Sequence, residues 1–497
     1  MAVIAGIDVG TQSTKVVLYD EKTREIIAQA SSPHRIIAQD DGTREQKASW
    51  WTDAIRTCFD SIDERSKRRI DAIGVSGQQH GFVPLDKDGN VLYNVKLWND
   101  TSTASECEYL TRCAGGRQKL LENEGNLILP GYTIGKILWL KNHKRELYDR
   151  LAHILLPHDY INYYLTGNIT CEAGDASGTG LFNVRERTWS HRLAACIDDK
   201  RNIIECMPPL ISNEKSCGTI RAEIAADLHL REDVIVSSGG GDNMMGAIGT
   251  GVVNEGTMCV SLGTSGTIFA HSSTPLIDDN GYLAAFCSST NAYLPLLCTM
   301  NCTVATEYTR ALFGKDVVSF DMEAKKAPIG CDDLVMLPYF NGERTPNYPN
   351  GKGTLIGLNQ KNMTEAHICR AAMESAIFSL RLGLDTFREK GYAVKEIRLI
   401  GGGAKSKVWR SMCADIFNVK IVIPEVTEGA AFGAALQALW ALSTINGGGR
   451  TIQDIADEHV ILDSDHIYYP DEKRVESYET AYKRYLNYMK EVEHMFK

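Results

Sequence analysis

An α/β protein built from two similar halves is predicted here by three observations. Ile7-Asp8-Val9-Gly10-Thr11-Gln12-Ser13-Thr14 and Val260-Ser261-Leu262-Gly263-Thr264-Ser265-Gly266-Thr267 are near copies, one near the start and one just past the middle. Both read apolar, polar, apolar, Gly, Thr, any residue, small, Thr. Each is flanked by strand-like runs, and each half sets strand patterns beside a helix pattern. The chain has 497 residues, more than one hydrophobic core holds, so two domains are expected, 1–247 and 248–497.

The elements justify this in order. Val3–Val9, Lys15–Tyr19 and Glu25–Ala30 read as strands. Trp51, Ile55, Cys58 and Ile62 then recur at helical spacing, and Ile70–Val75 reads as a buried strand. Residues 85–225 form an insertion rich in aromatic residues and helical patterns. Val234–Ser237 runs as a strand into Gly239, Gly240 and Gly241, and Asn243–Ile248 reads as helix. The hinge is placed near residues 246–256. In the second half, strands flank Gly263-Thr264. A long helix runs from Thr364, a predicted N-cap, toward Gly391, and Ile397–Ile400 enters the glycines at 401–403. In the tail, Val475, Tyr478, Tyr482, Tyr485, Met489 and Val492 share one helix face, and mixed charge opposite them points to packing rather than membrane binding.

Composition narrows the function class. Net charge is −10 with a pI near 5.7, which repels nucleic acid and anionic membrane. The 14 cysteines are scattered without a C-x-x-C pair, which predicts reduced, buried thiols and a cytoplasmic location. No basic, apolar leader opens the sequence. Its longest apolar stretch, Ala430–Leu442, is too short for a membrane span and contains Gln437.

A strand, a Gly-Thr turn and a second strand offer backbone N–H groups and hydroxyls at the tip, which suits anionic phosphate oxygens. Two such hairpins suggest a duplicated fold that grips a nucleotide. Asp8, beside the first turn, caps it or holds Mg²⁺ against phosphates. Asp242 is an N-cap, a general base for a hydroxyl, or both, because a helix N-terminus favours the ionised carboxylate. Gln79 and His80 end a buried strand in a Gly-bounded loop that suits a polyol, and Trp98-Asn99-Asp100 sets an aromatic face beside polar acceptors. The small-residue turn around Gly402, Gly403 and Ala404 has room for a flat adenine ring. Gly131–Lys136 looks like a Walker A loop but has one spacer too few and no Ser or Thr after Lys136.

These residues resemble a known family, the FGGY carbohydrate kinases of the actin-like ATPase fold. Ile7–Thr11 resembles the family's first phosphate loop and Ser261–Gly266 its second. Lys136–Leu140 is similar to the core of one signature, and Gly357-Leu358 through His367 to Glu374 to the other. Gly241-Asp242-Asn243 resembles the segment with the catalytic aspartate. Leu97–Asp100, Gly174–Thr179, Gly342–Pro346 and Gly402–Arg410 are similar to members that phosphorylate D-xylulose, as is Gly77–Gly81, where Gln79 stands in place of a commoner Met. The resemblance implies two ribonuclease-H-like domains with a cleft between them that close on sugar and ATP. Asp242 would be the general base, and Gln79, His80, Trp98, Asp242 and Asn243 would hold the sugar. Thr11, Gln12, Ser13, Thr14, Gly263, Thr264, Gly402, Gly403, Ala404 and Lys407 would hold the nucleotide, with Mg²⁺ at Asp8. It implies transfer to the 5-hydroxyl of D-xylulose, with ribulose, gluconate or a polyol as alternative acceptors, and a homodimer. An actin-like chaperone would need a peptide-binding β-domain, and a sugar-sensing regulator a basic helix-turn-helix; neither pattern is evident.

Overall fold

Val3, Ile4, Ile7 and Val9, separated only by small residues and one aspartate, form β1 (Val3–Val9). The computed structural model describes residues 2–426 and 429–496; Met1 and Lys497, the ends of the two expected domains, and residues 427–428 lie outside the described residues. At Gly10 the chain turns, its N–H donating to the Ser13 carbonyl at 3.0 Å. β2 (Ser13–Asp20) returns antiparallel with Val9 opposite Thr14, and β3 (Glu25–Pro33) pairs antiparallel with β2. The helix Ala48–Asp60 lays Trp51, Ile55 and Cys58 against β2 and β3. It ends before Ile62, which the helical spacing includes. β4 (Ile70–Gly77) then runs parallel to β1.

The described chain forms two compact units, one of residues 2–254, 271–295 and 429–460, the other of 255–270, 296–426 and 461–496. In the first unit the sheet is completed by β5 (Ser216–Thr219), β6 (Ile235–Ser237) and β7 (Gly240–Gly241). The order is β5-β6-β4-β1-β2-β3, with β7 also on β4. The apolar helix Gly429–Ile445 packs on this sheet, which is the task of the stretch too short to span a membrane. Close approach is possible because glycines face it. A Cβ on Gly6 would lie 1.9 Å from the Ala431 carbonyl oxygen, and one on Gly74 1.9 Å from that of Ala434. Gln437, within that helix, is fully buried and satisfied: Nε2 donates to the Asn213 carbonyl at 2.8 Å, and Oε1 accepts from the Gly239 N–H at 3.3 Å.

Five strands of the second unit repeat the scheme. They are β8 (Thr257–Leu262), β9 (Gly266–Ala270), β10 (Tyr293–Thr299, paired here through residues 296–299), β11 (Glu396–Ile400) and β12 (Lys420–Val422), in the order β10-β9-β8-β11-β12. As in the first unit, the hairpin partner is antiparallel and the strand across from it parallel. The helix Glu365–Glu389 takes the place that Ala48–Asp60 has in the first half, and Thr364 caps it by accepting from the His367 N–H. The tail helix Glu472–Val492 buries Tyr478, Tyr482 and Tyr485; the Tyr485 hydroxyl lies 2.9 Å from Ser379 and 3.1 Å from Tyr339.

The insertion is helical, with its own core that includes Leu110, Ile134, Ile137, Leu140 and Tyr148. Here one expectation is corrected. The helices Ala104–Cys113 and His191–Ile197 bring Cys113 and Cys196 together as a disulfide, Cα to Cα 5.9 Å, across 83 residues of sequence. Spacing along a chain carries no trace of such a tertiary meeting. The other twelve cysteines are free thiols, buried except for the half-buried Cys298. Among the described residues no helix is long and apolar enough to cross a membrane.

Candidate active site

Three neighbouring parallel strands of the first unit end on one edge. β1 pairs with β4 so that Val9 lies opposite Gly77, and β7 pairs with β4 so that Gly241 also lies opposite Gly77. This register brings three separate sequence segments to one place: Asp8 with the Gly10–Ser13 turn, Gln78-Gln79-His80, and Asp242-Asn243. Carboxyl ends of parallel strands are where open α/β sheets hold ligands.

Asp242 opens the helix Asp242–Gly249; Gly241 is the N-cap, so Asp242 is the first helical residue rather than the cap itself. Its Oδ1 accepts from the Asn243 N–H at 2.8 Å and from Asn243 Nδ2 at 3.1 Å. Although part of its surface is open, protein crowds the carboxyl closely. Burial, and then the carboxylates of Asp8 and Asp175, push its pKa up to about 7 against the two Asn243 donors. A carboxylate tuned to neutral pH is matched to taking and giving a proton there. Asp8 Oδ1 accepts from Ser76 Oγ at 2.8 Å.

On the first turn, Thr11 and Ser13 are half-buried and Gln12 is exposed. The Thr11 hydroxyl donates to Gln78 Oε1 at 3.0 Å and accepts from Trp98 Nε1 at 2.9 Å, so its proton is already committed. Thr14 differs from the others. It is fully buried, with its hydroxyl 2.9 Å from His34 Nε2, because strand alternation turns it inward. Trp98 is 39% exposed beside the turn. Asp100, its neighbour in the Trp98-Asn99-Asp100 motif, is fully buried in an ion pair with Lys96 at 3.2 Å and is not an open acceptor.

His80 takes a positive φ of 64°. Its ring stacks on Tyr132 at 4.5 Å, and Nδ1 meets the Gly178 carbonyl at 2.6 Å. Lys136 Nζ and Thr133 Oγ1 donate to the His80 carbonyl at 2.6 and 3.1 Å. Lys136, the lysine of the Walker-like segment, therefore fixes this loop. Gln79 is buried; its Oε1 accepts from Asn243 Nδ2 at 2.9 Å. Its amide nitrogen is buried without an aligned hydrogen bond. Burial raises the pKa of the nearby Asp175 carboxyl, with His158 opposing the rise.

In the second unit, the carbonyls of Gly263 and Thr264 accept from the Thr303 and Cys302 N–H groups, both at 3.0 Å, at the start of the helix Thr303–Leu312. Thr264 is exposed. Gly402 and Lys407 are exposed, whereas Gly403 and Ala404 are buried. A Cβ on Gly403 would lie 2.5 Å from the Trp409 ring, so only glycine fits. Ser406 Oγ donates to Asp321 Oδ2 at 2.6 Å, anchoring this turn to the helix Val317–Ala324.

Sequence reasoning missed Asp175, His158, Gln437 and Asp321 as supports. Asp175 lies in a quoted motif. His158, Gln437 and Asp321 carry no local signal, because their partners are 17, 198 and 85 residues away.

The profile of the FGGY family of carbohydrate kinases, N-terminal domain, matches residues 3–249, and that of the C-terminal domain matches residues 258–442. A xylulose kinase of Haemophilus influenzae is 42% identical over 494 residues, covering 98% of this chain and 99% of that protein. The crystal structure of a xyloylose kinase from Brucella ovis superposes with a TM-score of 0.92 at 29% identity, covering 99% of this chain and 100% of that one. A gluconate kinase from Lactobacillus acidophilus superposes at 0.91 with 26% identity, covering 100% of this chain and 99% of that one, so backbone shape alone does not separate the two sugars. Duplicated sheets, paired Gly-Thr turns and two profiles that together span most of the sequence agree: the chain belongs to the FGGY family of carbohydrate kinases.

Proposed function

We propose that this protein transfers the γ-phosphoryl group of ATP to the 5-hydroxyl of D-xylulose. The observation that carries the reaction class is the strand register that brings Asp8 with the Gly-Thr turn, Gln78-Gln79-His80 and the helix-opening Asp242 to one sheet edge. The D-xylulose acceptor rests on the 42% identity to a xylulose kinase. Asp242 accepts the hydroxyl proton as that oxygen attacks phosphorus. Phosphoryl transfer asks little more of the protein than positioning and charge stabilisation. Residues 1–247 supply the acceptor side, with His80 and Trp98 around the sugar and the Gln79–Asn243 pair next to Asp242, and the first phosphate turn, Thr11, Gln12 and Ser13, with the buried Thr14 behind it. Residues 248–497 supply Gly263 and Thr264 for phosphate and Gly402, Gly403, Ala404 and Lys407 for the adenosine end.

A divalent cation fits the donor set here, because hard carboxylate oxygens that repel one another around Asp242 suit a hard ion. Asp8 would hold Mg²⁺, and the bound ion would offset the charge that develops on the transferring phosphate. A cytoplasmic homodimer is the proposed setting, and there cellular thiols would act to open the Cys113–Cys196 bridge. The test is ADP release measured over D-xylulose, D-ribulose, gluconate and glycerol. D-xylulose should give the highest kcat/KM, since discrimination appears in the transition state. A higher value for another acceptor reassigns the sugar, and sugar-independent ATP turnover removes the kinase reading.

A further inference from the structure

We propose that His158, Asp175, Gln79 and Asn243 form a single positioning chain that aims the Asp242 carboxylate at the acceptor hydroxyl. The inference rests on Asp242 as the base and deepens that reading. The chain consists of hydrogen bonds at its two ends and a packing contact between Asp175 and Gln79. His158 Nδ1 lies 2.7 Å from Asp175 Oδ2. Asp175 and Gln79 meet by packing rather than by a hydrogen bond: a Cβ on Gly241 would lie 3.0 Å from Asp175 Oδ1 and 3.1 Å from Gln79 Cδ. Gln79 Oε1 accepts from Asn243 Nδ2 at 2.9 Å, and the same Asn243 nitrogen reaches Asp242 Oδ1 at 3.1 Å.

Two further observations tie the chain to Asp242 rather than to general packing. First, Asp175 and Gln79 both press on the residue before the base: a Cβ on Gly241 would lie 3.0 Å from Asp175 Oδ1 and 2.7 Å from Gln79 Cγ. Second, the helix Pro157–Thr166, which carries His158, also holds the turn that leads to Asp242, through Asn162 Nδ2 to the Ser238 carbonyl at 2.8 Å. His158 sits between Asp175 and Asp159, the latter 3.0 Å away, with all three side chains buried. Burial opposes its charge, yet the two carboxylates hold the imidazole well above its ordinary pKa. Burying such groups carries a desolvation cost that apolar side chains of the same volume would avoid, so what they add is direction. Gln79 keeps both amide atoms inside and is thereby a support for Asn243.

The experiment is a double-mutant cycle in steady-state kinetics with ATP and D-xylulose, using wild type, Gln79→Met, Asp175→Asn and the double variant, with thermal midpoints recorded. Each single change should lower kcat roughly ten- to a hundredfold, the scale of a small misplacement at the reacting atoms, with the sugar KM and the Gln79→Met midpoint near wild type. The double variant should be no slower than the slower single, because the chain is already broken. Losses that multiply, a kcat within twofold of wild type, or a raised KM at constant kcat, as a direct sugar contact would give, each overturn the chain. If Asp175→Asn does not fold, His158→Gln with Gln79→Met runs the same cycle. A wild type that phosphorylates none of the acceptors overturns the functional reading itself, an outcome distinct from active wild type with unaffected variants.

Discussion

Asp242 has to stay ionisable in a place that resists its charge. Replacing it with Ala should cut kcat by roughly 10²–10⁴-fold while sugar binding persists, the usual contribution of a general base; near-normal turnover would remove it from that role. The same crowding has a stability consequence. A carboxyl whose pKa is about 7 when folded, against an ordinary 3.8, destabilises the folded state increasingly as pH rises from about 4 to about 7. Asp242→Asn, measured without nucleotide or divalent ion, should therefore melt a few degrees above wild type at pH 8, with the gain fading toward pH 4. An equal gain at both pH values would show that neither burial nor the neighbouring carboxylates raise its pKa. The strand and three glycines before Asp242 draw attention to it, while its reading as the base comes chiefly from the family resemblance. Thr14 was legible only as part of a pattern: the repeat lists it beside Thr11, but alternation along β2 sends its hydroxyl to His34.

Among elements, the tightest constraint is the helix Gly429–Ile445. A Cβ on Gly433 would lie 1.7 Å from the Met245 carbonyl oxygen, in the helix that Asp242 opens. Alanine normally stabilises a helix interior by about 1 kcal/mol over glycine. Here the sign should reverse. Gly433→Ala should lose about 1–3 kcal/mol, the usual range for overpacking, and lower the thermal midpoint. A raised midpoint would mean that the helices can move apart. Strand and helix identities were readable because their periods differ, two residues against 3.6. The destination of this helix was not, since the stretch is apolar all round and its partners lie hundreds of residues earlier.

For the whole molecule, the Cys113–Cys196 bridge links two helices of the insertion. Closing an 83-residue loop restricts the unfolded chain by about 4–5 kcal/mol at most in the entropic account. A reducing agent should lower the thermal midpoint of wild type and leave Cys196→Ser unmoved. An identical response in both proteins would mean that the bridge does not stabilise the fold. The two sheets share one strand plan, which the near-copied Gly-Thr segments announce. Each copy needs the same turn between the same antiparallel pair, so the sequence has to repeat there.

By itself the sequence determined the α/β class, the paired Gly-Thr turns, the run into Asp242 and the helix from Thr364, because each is written in contacts a few residues apart. Tertiary structure alone decided that Asp8, Gln79 and Asp242 meet on one edge, that Asp100 is an ion-pair partner of Lys96, and that Cys113 finds Cys196. It also decided that His158 pairs with Asp175 next to Gly241, the residue before Asp242. Those outcomes depend on strand register and on packing between distant segments, and a buried charge acquires its meaning only from the groups that enclose it.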